Sequence, residues 1–399
     1  MRATDAGFSL LELAMTMGLM MTVTASVFAL LNPAHGVFST QSERADMQQR
    51  LRVAADALQR DLLMAGAGSY VGASAGAVTA GPLVHSFAPV LPFGQGFATD
   101  DEPGTYRSDR ITILYVPSTT AQSTLAADLT PSELTLTVNP DTNCPKNLSL
   151  CGIATDQTLL VYDDTGNYDT FLVNLVDDVS AQLSITKAPD AVTTTYKAGS
   201  RVVEAVTHTY FLKTNAATQV TQLMRSDGST NAGVPIADNV VGLRFDYDGD
   251  PQPPVLIRPV TDPRGPWTTY GPKPPAPGAR TTTWPAGENC AFHVDAASGR
   301  QVSRLIPLGT SAALVRLSAA QLTDGPWCPD EASANRWDAD LLRIRRIGVT
   351  LRLQSAAAAL RGPAGVFFSH GGTSRAADTW VPDLEVQFQV TPRNLGLGR

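Results

Sequence analysis

Glu12 is the residue whose surroundings most demand a chemical explanation. It lies inside FSLLELAMTMGLMMTVTASVFALL, a nearly unbroken apolar run over residues 8–31. A carboxylate in such a run is costly in hydrocarbon, and acids in that position usually have a partner and a function. A second group is Asp246-Tyr247-Asp248-Gly249-Asp250, whose alternating carboxylates could converge on a calcium ion, a cation that takes several oxygen ligands. The bidentate glutamate that completes an EF-hand is missing, and Asp/Gly-rich turns after strands are common, so a solvated turn is the favoured reading. Asp163-Asp164-Thr165-Gly166-Asn167-Tyr168-Asp169 is a second loop of this kind. The chain has four cysteines, Cys144, Cys151, Cys290 and Cys328. Their spacing suits two local disulfides, Cys144–Cys151 and Cys290–Cys328, in an oxidising compartment. Zinc is the rival reading, although no CxxC pair and no histidine spacing supports it.

Nucleophilic and acid–base chemistry finds little to build on. Gly72-Ala73-Ser74-Ala75-Gly76 spells G-x-S-x-G, but it sits in a small-residue stretch after a helix, whereas a nucleophile elbow joins a strand to a helix. His35, His85, His208, His293 and His370 are scattered, and there is no HExxH, phosphate-binding loop or dinucleotide fingerprint. The chain reads as a non-enzyme with no resident cofactor, calcium being the one candidate. Charged residues make up 17% of the chain and its net charge is -7, which argues against nucleic-acid binding because phosphates require basic clusters.

The elements that must position these groups follow from periodicity. As a helix, residues 8–31 would reach about 36 Å, against a hydrocarbon core of about 30 Å. The run is too long for a secretory signal peptide, and Asn32-Pro33-Ala34-His35 offers no small-residue cleavage site. Beyond a kink expected at Asn32-Pro33, apolar residues recur at Met47, Leu51, Ala54, Leu58 and Leu62, with Arg44, Asp46, Arg50, Arg52, Asp56, Arg60 and Asp61 between them. That spacing predicts an amphipathic helix over residues 32–66, ended by Ala65-Gly66-Ala67-Gly68. From Ser69 onward short β-type runs alternate with turn residues. They cover residues 110–116, 159–162, 207–212, 239–245, 347–353 and 384–390, the last two in clear two-residue alternation. The 32 glycines and 28 prolines fit a turn-rich β head over residues 67–399, and residues 251–285 form a proline-rich excursion that no central strand could hold.

Gly7-Phe8-Ser9-Leu10-Leu11-Glu12-Leu13 resembles the prepilin motif of type IV pilins and type II secretion pseudopilins. The resemblance implies a leader, residues 1–7, removed by a prepilin peptidase between Gly7 and Phe8, with Phe8 then N-methylated by the same enzyme. It implies that Glu12 pairs with the N-terminal amine of a neighbouring subunit. The leader holds one base, Arg2, and an acid, Asp5, where family leaders often place Lys or Arg just before the glycine. Three weaker stretches are similar to PilW-like minor pilins and the related PulJ-type pseudopilins. These are residues 58–66, Gln222-Leu223-Met224-Arg225 with Ile236-Ala237-Asp238-Asn239-Val240, and Val390-Thr391-Pro392-Arg393-Asn394-Leu395. The implied fold is α+β and pilin-like: a long N-terminal helix, half in the membrane, packed on an antiparallel β-rich head. The implied role is a minor pilin that helps to initiate or cap a filament, with other pilin subunits and the membrane as partners. It would sit in the bacterial inner membrane with its head in the periplasm, then at the cell surface. A tip adhesin, or a type II secretion pseudopilin, is the alternative.

Overall fold

The computed structural model describes residues 9–67, 88–94, 101, 105–117, 121–140, 149–163, 168–187, 195–227, 233–252, 292–294, 296–297, 301–303, 313–323, 339–361 and 381–396. For 29–39, 149, 151, 168–170, 187, 292–294, 301–303, 339 and 396 it describes the backbone alone. The fold is α+β. One helix, α1, spans Leu10–Met64 and is followed by antiparallel sheets. The expected kink site at Asn32-Pro33 lies inside this single uninterrupted helix. Of the apolar stripe, Met47, Ala54, Leu58 and Leu62 are fully buried and Leu51 is half-buried. The helix ends where expected. Gly66 takes a left-handed φ of 71°, the Ala67 N–H donates to Met64 O at 2.7 Å, and the Gly66 N–H donates to Leu114 O at 3.0 Å. Glycine adopts that φ without the steric penalty of a side chain.

The chain divides into two compact units, residues 1–52 with 352–384 and residues 53–351 with 385–399. Within the first, Glu43 Oε1 accepts hydrogen bonds from Arg50 Nη2 at 3.2 Å and from the Ala356 N–H at 2.5 Å. The buried pair Arg352–Asp383, at 3.0 Å, lies in the same unit.

The second unit is built on three main sheets. A five-stranded sheet has the order Val90–Leu91, Ile111–Tyr115, Val206–Thr214, Thr221–Ser226, Val234–Asp238, every neighbour antiparallel. In its centre Tyr115 is opposite Val206, so the chain leaves this sheet and re-enters it at paired positions. Residues 121–205 lie between those two points. They form a six-stranded sheet in the order Gln122–Thr124, Arg201–Glu204, Thr158–Tyr162, Tyr168–Asp177, Gln182–Lys187, Thr135–Thr137. Its two edges meet: Leu125 bridges Val138, the Ala126 N–H donates to Thr137 O and the Asn139 N–H to Thr124 O, each at 2.8 Å. The sheet is therefore a closed barrel without a free edge. Leu125, Leu136, Leu159, Phe171, Leu183 and Val202 fill a core of its own.

A four-stranded sheet has the order Val315–Leu317, Val240–Gly249, Ile344–Leu353, Leu384–Val390. Along Leu384–Val390, half-buried residues alternate with exposed Glu385, Gln387 and Gln389, the pattern of a one-face strand. Phe292–Val294 and Gln301–Ser303 form a separate hairpin. The expected runs at 110–116, 159–162, 207–212, 239–245, 347–353 and 384–390 are all strands, most of them longer than their apolar signal.

Gly249 marks a close backbone approach. A Cβ there would overlap the carbonyl oxygen of Arg343, which accepts from the Asp250 N–H at 3.1 Å. At Gly348 an added Cβ meets nothing nearer than Asp246 at 3.6 Å, an ordinary contact. Gly249→Ala is therefore expected to destabilise the head by about 1–3 kcal/mol, the usual cost of overpacking. Gly348→Ala should lie within about 1 kcal/mol of the parent, the general range for mild substitutions. Urea unfolding of the two variants side by side checks this ordering.

Candidate functional site

Among the described residues, the N-terminal part of α1 has no apolar partner. Leu10–Phe28 is long and apolar enough to cross a membrane, and none of it is buried inside the protein. Leu10, Met15, Leu19, Met20, Met21 and Phe28 all stand exposed. The hydroxyls along this stretch are self-satisfied. Thr16 donates to Leu13 O, Thr22 to Leu19 O, Thr24 to Met20 O and Ser26 to Val23 O, at 2.6–2.9 Å. Ionic character is thus concentrated in Glu12.

Glu12 occupies the third position of the helix, and Ser9 caps it. The Ser9 N–H and the Ser9 hydroxyl both donate to Glu12 Oε2 at 3.1 Å, and the Glu12 N–H donates to Ser9 Oγ at 3.2 Å. This is a reciprocal capping box, written in the sequence as Ser-x-x-Glu. The box satisfies two orphan N–H groups at the helix start and holds the carboxylate against the positive end of the helix dipole. It supplies no full positive charge to the carboxylate. The sequence reading stressed the carboxylate and missed its partner Ser9, although the spacing was visible.

A second carboxylate anchors the other end of α1. Asp61 was expected on the polar side of the helix, yet its side chain is only 7% exposed. Its position, three after Leu58 and seven after Ala54, puts it on the buried stripe. There His208 Nδ1 lies 2.6 Å from Asp61 Oδ2, the Tyr210 hydroxyl donates to the same oxygen at 2.7 Å, and Arg225 Nη1 stands 3.9 Å away. His208 and Tyr210 are alternate residues of one strand, so they share the face turned to the helix. Tyr210 also donates to Ala57 O at 3.4 Å. Burial alone would raise the Asp61 pKa. The hydrogen bonds from His208 and Tyr210, with the charges of His208 and Arg225, outweigh it and hold the carboxyl below its usual range. The Tyr115 hydroxyl is pushed up to about 12, first by burial and then by the charge of Asp61. Burial and the same carboxylate push Tyr210 up as well. The pattern is that of a fixed anion gripped by neutral and cationic donors, an anchor more than a reaction centre.

The acidic group considered for calcium takes a different form. Asp246 and Asp248 lie within the strand Val240–Gly249, not in a turn, and arginines surround them. Asp248 Oδ1 pairs with Arg316 Nε at 2.8 Å and Oδ2 with Arg346 Nε at 3.1 Å, so a guanidinium from each neighbouring strand grips one carboxylate. Asp246 pairs with Arg244 and Arg316 at 3.0 Å, and Asp250 with Arg345 at 2.5 Å. In place of the expected turn, Asp246 and Asp248 belong to a cross-strand charge ladder. Gly249, which made the segment look like a turn, serves the approach to Arg343 instead. Among the described residues no three His, Cys, Asp or Glu side chains converge as metal ligands.

The other expected site residues lie outside the described residues. These are Gly7 and Phe8 at the cleavage junction, and Cys144, Cys290 and Cys328 of the two disulfides. Cys151 is described only in its backbone, within the short helix Ser149–Gly152. Gly72–Gly76, His85 and His370, together with most of the proline-rich excursion, also lie outside, as does Asp164–Asn167 of the second acidic loop. Compared with protein-family models, with curated proteins and with solved structures, the chain matches none.

The anchor at Asp61 has a defined pH signature. Its carboxyl pKa is lowered in the folded state, so the stabilisation is fully present above the unfolded value of about 3.9 and is lost as pH falls through the folded value. The parent is expected to lose stability more steeply below about pH 4 than Asp61→Asn does. At neutral pH, Asp61→Ala should cost about 3–5 kcal/mol, because it strands buried donors and a charge. Urea titrations of the detergent-solubilised protein at a series of pH values read both effects. Parallel pH profiles for parent and Asp61→Asn would assign the acid sensitivity elsewhere.

Proposed function

We propose that this chain is a filament subunit of the type IV pilin-like kind, inserted in a membrane through Leu10–Phe28 and assembled with other subunits through the same helix. The single observation that carries the reading is an apolar helical segment with no partner among the described residues, holding one ordered acid at its N-terminal turn. That rod is continuous with a stretch of helix anchored to a β-rich head through Asp61. In an isolated membrane anchor Glu12 would serve only as the helix cap. In an assembling one it has a further use, because a neighbouring N-terminal amine can neutralise it.

In this reading, a prepilin peptidase removes residues 1–7 between Gly7 and Phe8 and methylates the new amine. The subunit waits in the bacterial inner membrane with its head in the periplasm. Glu12 then accepts the Phe8 amine of the adjacent subunit as the filament grows. The capping box holds the carboxylate in place through Oε2 and leaves Oε1 for that amine. The large head, enlarged by the inserted barrel, suits a minor subunit at the start or tip of the filament better than one repeated along a shaft.

Two measurements test the reading. Mass spectrometry of the mature N-terminus should find Phe8 carrying one added methyl group. A retained Met1, or a cut beyond Leu31, defeats the proposal. Glu12→Gln should leave membrane insertion intact, since an amide is cheaper in hydrocarbon. It should sharply reduce incorporation into filaments, because a buried amine without its counter-charge costs about 3–5 kcal/mol. Normal incorporation would reduce the segment to an anchor.

A further inference from the structure

Glu12 is held close to the point where the mature chain would begin. Its Oε2 accepts from the Ser9 N–H and from the Ser9 hydroxyl, both at 3.1 Å, and the Glu12 N–H donates back to Ser9 Oγ at 3.2 Å. The carboxylate is therefore turned back toward Ser9, as helical side chains generally lean toward the N-terminus. Among the described residues, Oε1 receives no hydrogen bond.

Cleavage between Gly7 and Phe8 would put the new amine one residue before Ser9. Phe8 lies outside the described residues, so covalent geometry alone sets the reach of that amine. Three bonds, N–Cα, Cα–C and C–N, join it to the Ser9 nitrogen. The two nitrogens then lie within about 3.7 Å of each other at every value of the torsion between them. Torsions near zero turn both sets of N–H groups the same way, and successive N–H groups so aligned form an anion-binding concavity. The anion is already there, because the Ser9 N–H points at Glu12 Oε2. One torsion thus separates the amine from contact with its own chain's carboxylate. A neighbouring subunit's amine must arrive by diffusion, against an internal rival of high effective concentration. Methylation leaves that rival intact, since a methylated ammonium keeps its charge and two N–H donors.

We propose that Glu12 pairs first with the Phe8 amine of its own chain, through the box that Ser9 holds, and that assembly exchanges this internal pair for the pair between subunits. The inference rests on the proposed cleavage between Gly7 and Phe8. In hydrocarbon neither charge is tolerated alone, and the internal pair lets a subunit wait in the membrane with both satisfied. It is also a restraint, because it must open before a neighbour's amine is accepted. The exchange replaces one ammonium–carboxylate contact by another, so the number of paired charges is unchanged. Ser9 acts here as a positioning residue, fixing Oε2 and so presenting Oε1 to whichever amine is at hand.

The test uses residues 8–399 released from an N-terminal fusion by a protease that leaves Phe8 first, which makes it independent of any prepilin peptidase. The chain carries 15N in phenylalanine and 13C in the glutamate side-chain carboxyl, and is reconstituted in lipid bilayers with a large excess of unlabelled chain. The terminal ammonium nitrogen has a chemical shift distinct from every backbone amide, so solid-state NMR reads its distance to the labelled carboxyl carbon directly. A charge-assisted contact of about 2.8 Å between nitrogen and oxygen places that carbon within about 4 Å. The dipolar contact should be present in the parent, absent in Glu12→Gln, weakened several-fold in Ser9→Ala and retained in Ser9→Thr, which keeps the hydroxyl. No contact in the parent overturns the proposal. So does a contact that vanishes as unlabelled chain is added, which makes the pair intermolecular, or one of equal strength in Ser9→Ala. Failure of the filament reading shows elsewhere, as a mature N-terminus in cells other than Phe8.

Discussion

One helix of 55 residues carries an apolar segment at one end and a packed stripe at the other, and one buried carboxylate fixes how that stripe packs. Leu10–Phe28 is apolar enough to cross a membrane, whereas Ala54, Leu58 and Leu62 of the same helix are buried. Apolar packing at Ala54, Leu58 and Leu62 is strong but indifferent to direction, since small rotations and slides of a smooth stripe cost little. Asp61 removes that freedom. A buried anion held by two directed donors and a nearby guanidinium tolerates only one register of helix against strand. Such a group adds little net stability over an apolar replacement of equal shape, but breaking it is costly, and that asymmetry specifies a unique arrangement.

The same logic recurs through the head. Asp248 is gripped from both sides by Arg316 and Arg346 and so fixes three adjacent strands of the four-stranded sheet in one register. Asp340 and Arg343 form a buried pair at 2.9 Å beside the point where Gly249 admits the Arg343 carbonyl. These are directional ties at places where a β strand could otherwise slip, and a slip by one residue would exchange its buried and exposed faces. These buried charges outside the barrel are in this sense structural.

How much of this could be read from the sequence depends on what each residue was doing. Strands with an unbroken apolar rhythm, such as Ile111–Tyr115 and Leu384–Val390, announced themselves because packing alone determines them. The stripe on α1 was equally plain, as was its glycine stop at Gly66. Asp61 was misplaced because its charge was given more weight than its helical position. His208 and Tyr210 were visible as alternate residues of a strand, but nothing local pointed to a partner roughly 150 residues away. Gly249 misled because glycine signals both turns and close backbone approach, and only the neighbouring Arg343 carbonyl distinguishes them. The barrel stayed hidden because two of its strands have three residues each and its closure rests on a bridge between residues that belong to no strand.

The insertion explains how the framework tolerates an added module. Because Tyr115 and Val206 are paired, a domain can enter and leave the five-stranded sheet without disturbing its ladder. The barrel brings its own core and closes its own edges, so it asks nothing of the host sheet beyond those two neighbouring ends. Its surface charge does not have to be balanced within the framework either. Lys197 meets Asp128 in the open, at 2.8 Å, where solvent makes a pair worth little, unlike the enclosed pairs of the host. Charge that is not consumed in holding strands together remains available as a field around the molecule. The fold thus separates two uses of the same side chains: Asp61 and Asp248, buried in pairs, set the geometry of the body, and Asp128, Glu133, Asp177 and Asp178 stand exposed on the barrel.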